Sequence, residues 1–230
     1  MKRMCSIILA ICFLVGILPA GTFSINASAA TYGDLSYTIV NDEVAITRCS
    51  QFAIGSIHIP AELEGYPVTR IYGDAFINCT EVTRIYIPST ITKIESGAFS
   101  WVGNLEGIYV DENNQHYCSE DGVLFTKDKT SLLQAPRTLT EYVVPDAVIQ
   151  IGNRAFNGCE KLSNVTIGEN VTSIGSSAFY ECTSLVSIRI PDSVKTIDGS
   201  AFYRCSNLNN IEFGNSVTTI GDYAFNYSYS

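Results

Sequence analysis

The chain has 230 residues, a formal net charge of −9, and 46% hydrophobic against 16% charged residues. That balance fits neither a disordered tail nor a fibrous protein. An acidic surface repels polyphosphate, so nucleic acid is a poor partner.

Residues 1–30 read as a secretory signal peptide. Lys2 and Arg3 give a basic start, Ile7 to Leu18 is a nearly continuous apolar run, and Ala27-Ser28-Ala29 offers an A-x-A cleavage site. The run falls short of the ~20 apolar residues that a spanning helix needs. Cleavage would take Cys5 and Cys12 with it and, by removing Lys2 and Arg3, move the charge from −9 to −11. The expectation is an exported mature chain with no membrane span.

Residues 31–56 read as an N-terminal cap. Two alternating runs, Leu35 to Val40 and Glu43 to Cys49, flank Asn41-Asp42, a favourable two-residue hairpin turn. An uncovered strand at the end of a stack is an aggregation edge, and a hairpin there would shield it.

From residue 57 to 230 a period governs the chain. Ala-Phe recurs at Phe76, Phe99, Phe156, Phe179, Phe202 and Phe225. Isoleucine stands five residues before each Phe, as in Ile174, Ile197 and Ile220. A β-branched residue stands eight before, and the regular step is 23 residues. Such self-similarity marks a repeat architecture. After each of the first five of these Phe residues, a Leu or Val leads into an alternating trio such as Ile85-Tyr86-Ile87 or Ile188-Arg189-Ile190, the signature of a strand with one buried face. Each unit therefore reads as strand, turn, short second extended piece, and about one helical turn carrying Ala-Phe. A single unit cannot hide its apolar residues, but stacked units can. Seven parallel strands are expected, centred on His58, Tyr86, Tyr109, Val143, Thr166, Arg189 and Glu212. The fold class is thus an α/β repeat solenoid, with a parallel β-sheet on one face.

The pattern I-x-x-x-A-F-x-x-C-x-x-L-x-x-I-x-I-P resembles the BspA-like class of bacterial leucine-rich repeats, as do Gly65-Tyr66-Pro67-Val68-Thr69 and Asp121-Gly122-Val123-Leu124-Phe125. The resemblance covers nearly all of residues 31–230. It implies a right-handed, curved stack and a place among secreted and surface proteins that attach to host proteins or other cells.

The period breaks between Phe99 and Phe156, where the chain is eleven residues longer than two regular steps. A hairpin insertion is expected at about 111–138, with Val123 to Gln134 turning around Lys127-Asp128-Lys129-Thr130. It reads as a tolerated insertion, with a ligand-contacting flap as the other possibility.

Chemistry is sparse. Cys79, Cys159, Cys182 and Cys205 share one column, which accepts Val102 once, so they read as small buried thiols. Side chains in one column point the same way, a poor geometry for disulfides. Cys49 and Cys118 fall outside the column. No C-x-x-C, H-E-x-x-H, G-x-S-x-G or P-loop occurs, and His116-Tyr117-Cys118 reads as surface loop. The acidic stretch Asp111 to Asp121 lacks the sixth-position glycine and twelfth-position glutamate of a calcium loop. No catalytic site, metal or cofactor is expected.

What remains is the solvent face of the strands. Arg84, Tyr86 and Tyr109 fall together there, Arg189 lies further along, and Trp101 sits two residues after its Phe at a position expected to be exposed. Tyr, Trp and Arg most often carry interface energy. The sequence therefore reads as a non-catalytic recognition or adhesion module, secreted or at the cell surface. Its partner would be a protein, host extracellular proteins included. The alternative is a glycan-binding or spacer module of an exported carbohydrate-utilisation protein.

Overall fold

The computed structural model describes residues 30–228. The expected leader, apart from Ala30, lies outside them. In chain order the first strands are β1 (Ala30–Tyr32), β2 (Leu35–Val40), β3 (Glu43–Cys49), β4 (Ile54–His58) and β5 (Glu62–Leu63). Next come β6 (Tyr66–Ile71), β7 (Glu81–Ile87), β8 (Lys93–Ile94) and β9 (Gly107–Val110). The break in the period holds β10 (Tyr117–Glu120), β11 (Val123–Thr126) and β12 (Ser131–Gln134). The regular stack resumes with β13 (Glu141–Val143), β14 (Gln150–Ile151), β15 (Asn164–Thr166) and β16 (Ser173–Ile174). It ends with β17 (Ser187–Ile190), β18 (Thr196–Ile197), β19 (Asn210–Phe213) and β20 (Thr219–Ile220).

Each coil contributes one strand to a first face, a two-residue strand to a second, and the Ala-Phe turn to a third. On the first face, β4-β7-β9, β13-β15 and β17-β19 pair in parallel. On the second, β12-β14-β16-β18-β20 run in parallel, and Ile174, Ile197 and Ile220 are direct register neighbours. Inside, aliphatic columns and the phenylalanines interlock. Phe156, Phe179, Phe202 and Phe225 stack at 4.8, 5.0 and 5.1 Å, with their planes within 5°. Offset ring stacking adds to the burial of these large side chains.

The α/β expectation is corrected: the described residues contain no helix, and the molecule is a β-solenoid. The reason lies in the Ala-Phe turn. In all six coils the residues two before and two after the Phe have positive φ: Asp74 and Asn78, Gly97 and Trp101, Arg154 and Gly158, Ser177 and Glu181, Ser200 and Arg204, Tyr223 and Tyr227. A left-handed residue on either side leaves too few right-handed residues for a helical turn. The zigzag aims alternate N–H groups at the next coil. Ser177, Phe179 and Glu181 donate to the carbonyls of Gly199, Ala201 and Tyr203 at 3.0, 2.7 and 2.8 Å. Inter-coil hydrogen bonding thus replaces helical bonding and satisfies the backbone.

The cysteine column lies within the core. Cys159, Cys182 and Cys205 are fully buried, and each thiol donates to a carbonyl of the preceding coil, at 3.5, 3.2 and 3.0 Å. In the last coil Ser228 takes the same slot and donates to the carbonyl of Phe202.

Candidate recognition surface

Register places His58, Tyr86 and Tyr109 directly opposite one another on β4, β7 and β9. Their flanking aliphatics, Ile57, Ile85 and Ile108, point inward and are buried. The period-two pleat then sends the three rings outward. His58 stacks on Tyr86 at 4.2 Å and 1°, and Tyr86 on Tyr109 at 5.2 Å and 23°. The rings form a column along the strand face, with Tyr109 37% exposed.

Arg84 neighbours this column in the strand and is half exposed, its guanidinium paired with Glu106 at 2.9 Å. Its register partner is Gly107, over which Tyr109 leans: a Cβ added there would lie 2.8 Å from the Tyr109 Oη. A groove of about 260 Å³ runs beside the column, bounded by Ile59, Pro88 and Asp111.

The other two expected site residues lie elsewhere. Arg189 is on the strand face of the C-terminal coils, where its guanidinium is held by Glu169 and a groove of about 290 Å³ adjoins it. Trp101 is on the turn face and only half exposed. The Arg137 guanidinium lies 5.3 Å from its ring centroid, and Tyr180 meets it edge-on at 6.2 Å. From there a second aromatic row continues through Tyr203, stacked on Tyr180 at 5.1 Å, to Tyr227. Arg84, Tyr86 and Tyr109 are therefore brought together; Arg189 and Trp101 are separate from them. His58 completes the column. The signal for it was its position at the centre of a strand trio, in phase with both tyrosines.

The residues weighed for chemistry do not converge. Among the described residues no group of three or more His, Cys, Asp or Glu side chains is placed to hold a metal ion. The Cys118 thiol donates to the carbonyl of Thr126 at 3.3 Å, and burial pushes its pKa up, the opposite of an activated nucleophile. Asn114 gives the loop after β9 its shape. Fully buried, it donates to the carbonyls of Pro88 and Ile91 and accepts from the N–H groups of His116 and Tyr117. Among the described residues no helix is long and apolar enough to cross a membrane.

Comparison with solved structures returns bacterial repeat proteins. A leucine-rich repeat protein from Eubacterium ventriosum ATCC 27560 superposes with a TM-score of 0.64 at 31% identity, over 71% of this chain and 43% of that one. One from Bacteroides ovatus ATCC 8483 gives 0.53 at 26% identity, over 86% and 56%. The chain thus spans about half the length of these two relatives. A leucine rich cell surface protein from Faecalibacterium prausnitzii A2-165 has the same fold at 18% identity, with a TM-score of 0.50 over 90% of this chain and 96% of that one. No curated protein matches the sequence. The model of the BspA type leucine rich repeat region matches in six copies over residues 42–121 and 131–230, and the chain belongs to that family.

Proposed function

We propose that the chain is a non-catalytic recognition module, secreted or on the cell surface, that binds a protein ligand through its strand face around Arg84, Tyr86 and Tyr109. The observation that carries this reading is the stack of His58, Tyr86 and Tyr109, which stands on the exposed side of β4, β7 and β9. Three pre-stacked rings lose little freedom on binding, and Tyr and Arg are the residue types that dominate interface energies. The export reading rests on the leader pattern in residues 1–30.

The stacking argues for protein over glycan. A sugar packs its C–H groups on an open ring face, where the aromatic quadrupole is negative. Here Tyr86 has His58 against one face and Tyr109 against the other. What the column offers is a row of ring edges, hydroxyls and an imidazole, with the Arg84 guanidinium beside it. Those groups suit the backbone and side-chain hydrogen bonds of a protein surface.

The test is to screen the mature chain against immobilised extracellular proteins and, in parallel, a glycan array. The expected result is a protein ligand whose affinity falls at least about 10-fold in the Tyr86→Ala/Tyr109→Ala variant. A ligand bound equally by wild type and variant would remove the column from the site.

A further inference from the structure

The segment that breaks the period repeats the strand pairing of the N-terminal cap, with its second hairpin two residues shorter. In the cap, β1 pairs antiparallel with β2 through Ala30↔Tyr37 and Tyr32↔Leu35, across the two-residue turn Gly33-Asp34. In the insertion, β10 pairs with β11 through Cys118↔Phe125 and Glu120↔Val123, across the two-residue turn Asp121-Gly122. The next pairings correspond as well. Ser36↔Arg48 shifts to Tyr37↔Ile46, and Leu124↔Gln134 shifts to Phe125↔Leu132, so both hairpins carry a bulge at the same step. Each then enters the second face in parallel, through Ile46↔Ile71 and Leu132↔Ile151. Finally, Cys49 N–H donates to the carbonyl of Ala75 at 2.6 Å, and Ala135 N–H to that of Ala155 at 2.7 Å. A bulge conserved in register between two segments is a designed feature of the hairpin.

The equivalence explains a division that runs through the molecule. On the second face β8 pairs only with β6, and the sheet restarts at β10. The buried apolar residues fall into two clusters. β11 is the wall between them: Leu124 belongs to the first cluster, while its neighbours Val123 and Phe125 belong to the second. On the turn face, Ser100 Oγ and Asn157 Oδ1 are left buried without a partner near this division. A cleft of about 240 Å³ opens there between Phe99, Leu124 and Leu133.

Where the hairpins differ, the differences suit one to be terminal and the other to be docked. The residue matching buried Leu124 is Ser36, which is polar and half exposed. The residue matching Gly122 is Asp34, whose carbonyl already accepts the N–H of Ser50 at 2.7 Å. Pro136 stands at the place of Ser50 and has no N–H, so the Gly122 carbonyl takes the N–H of Ile108 on β9 instead, at 2.9 Å. Gly122 has φ of +78°, and a Cβ on it would lie 2.8 Å from the Gly107 Cα. Only glycine allows that approach. Further hydrogen bonds cross the junction: at the hairpin, Ile94 N–H to Tyr117 Oη at 2.9 Å and Val110 N–H to Ser119 Oγ at 3.0 Å; beyond it, the Thr138 N–H and hydroxyl to the Leu105 carbonyl at 3.4 and 3.3 Å, and the Arg154 guanidinium to Asp74 at 3.0 Å.

We infer that the chain is two cap-and-coil modules, residues 30–110 and 117–228, each with its own core cluster, and that the β10–β11 hairpin, whose Leu124 completes the first core, is the docking surface by which the second holds the first. The His58, Tyr86 and Tyr109 column lies in one module and Arg189 in the other, so the junction sets how these patches face a common ligand.

Hydrogen exchange of the full chain in rising urea, read by mass spectrometry, tests this. Phe179→Ala is expected to speed exchange of β16 and β18 about 100-fold and leave β6 and β7 within about 3-fold, with Phe76→Ala doing the converse. Equal acceleration of both groups by either variant would show one cooperative unit and overturn the division. Gly122→Ala is expected to speed exchange at Ile94, Ile108 and Val110 about 10-fold while β7 and β16 keep their protection. Because that change also strains a turn, Tyr117→Phe, which removes one hydroxyl, must selectively expose the Ile94 amide. If it does not, or if either variant deprotects both cores, the docking role fails.

Discussion

Ser177, Ser200, Arg154 and Tyr223 hold the same left-handed backbone as Asp74 and Gly97 in the equivalent positions of other coils. Nothing in those side chains asks for it, which is why the sequence read as a helical turn. The conformation is imposed by the inter-coil ladder, at a cost of roughly 1–2 kcal/mol per non-glycine residue. Replacing one of them with glycine should recover part of that cost, less the glycine's added unfolded-state entropy. Ser200→Gly, with φ of 57° at a site that keeps its backbone bond to Asp222, is expected to raise stability by about 0.5–1 kcal/mol in urea unfolding. Loss of stability would mean the serine side chain does more than its backbone geometry implies. A second residue-scale test concerns the column. Gly107→Ala places a methyl where the Tyr109 ring lies. It should turn that ring out of the stack and, if the column is the proposed site, weaken ligand binding as Tyr109→Ala should, with little change in melting temperature.

At the scale of the element, the strand trios and the Ile and Phe columns were legible because burial of one face in two writes itself as alternation. The strands β7, β9 and β17 fall where Tyr86, Tyr109 and Arg189 predicted. β10 was not legible. Tyr117-Cys118-Ser119-Glu120 shows no alternation, since its residues are all partly exposed and it is held by pairing to β11 and by Asn114. The ring column was partly legible: strand phase put His58, Tyr86 and Tyr109 on one face, but no pattern tells that they stack. For Trp101 no pattern tells that Arg137 lies against its ring or that Tyr180 meets it edge-on. The cysteine column yields its own prediction. Ser228 fills the same slot and bonds the same kind of carbonyl, so the slot accepts a hydroxyl. Cys182→Ser should therefore cost under about 1 kcal/mol, because the hydrogen bond to the Phe156 carbonyl is kept. Cys182→Leu overpacks a fully buried site and should cost about 1–3 kcal/mol. Equal costs would mean the carbonyl is not a real partner.

For the whole molecule, interiors that hold buried thiols and aromatic rings make high pH destabilising. Burial pushes the Cys159 thiol up to about 12 and the Cys182 thiol well above its usual range. Burial does the same to Tyr142, up to about 12. These groups stay protonated in the folded chain where they would ionise in the unfolded one, near ~8.5 for Cys and ~10 for Tyr. Below about pH 8.5 both states hold the thiol proton, and stability is unaffected. Between there and about 12 only the unfolded state releases it, so stability falls as pH rises, by about 1.4 kcal/mol per pH unit for each fully buried thiol. Cys159 alone should remove about 3 kcal/mol by pH 11. The check is the urea midpoint of wild type and Cys159→Ser at pH 8, 9.5 and 11. Serine does not ionise in this range, and Ser228 shows how it fits the slot. The variant should start slightly less stable and lose less as pH rises, so that the two curves converge. Parallel curves would assign the alkaline loss to other groups, Tyr142 first, and would mean that water reaches Cys159 in the folded stack.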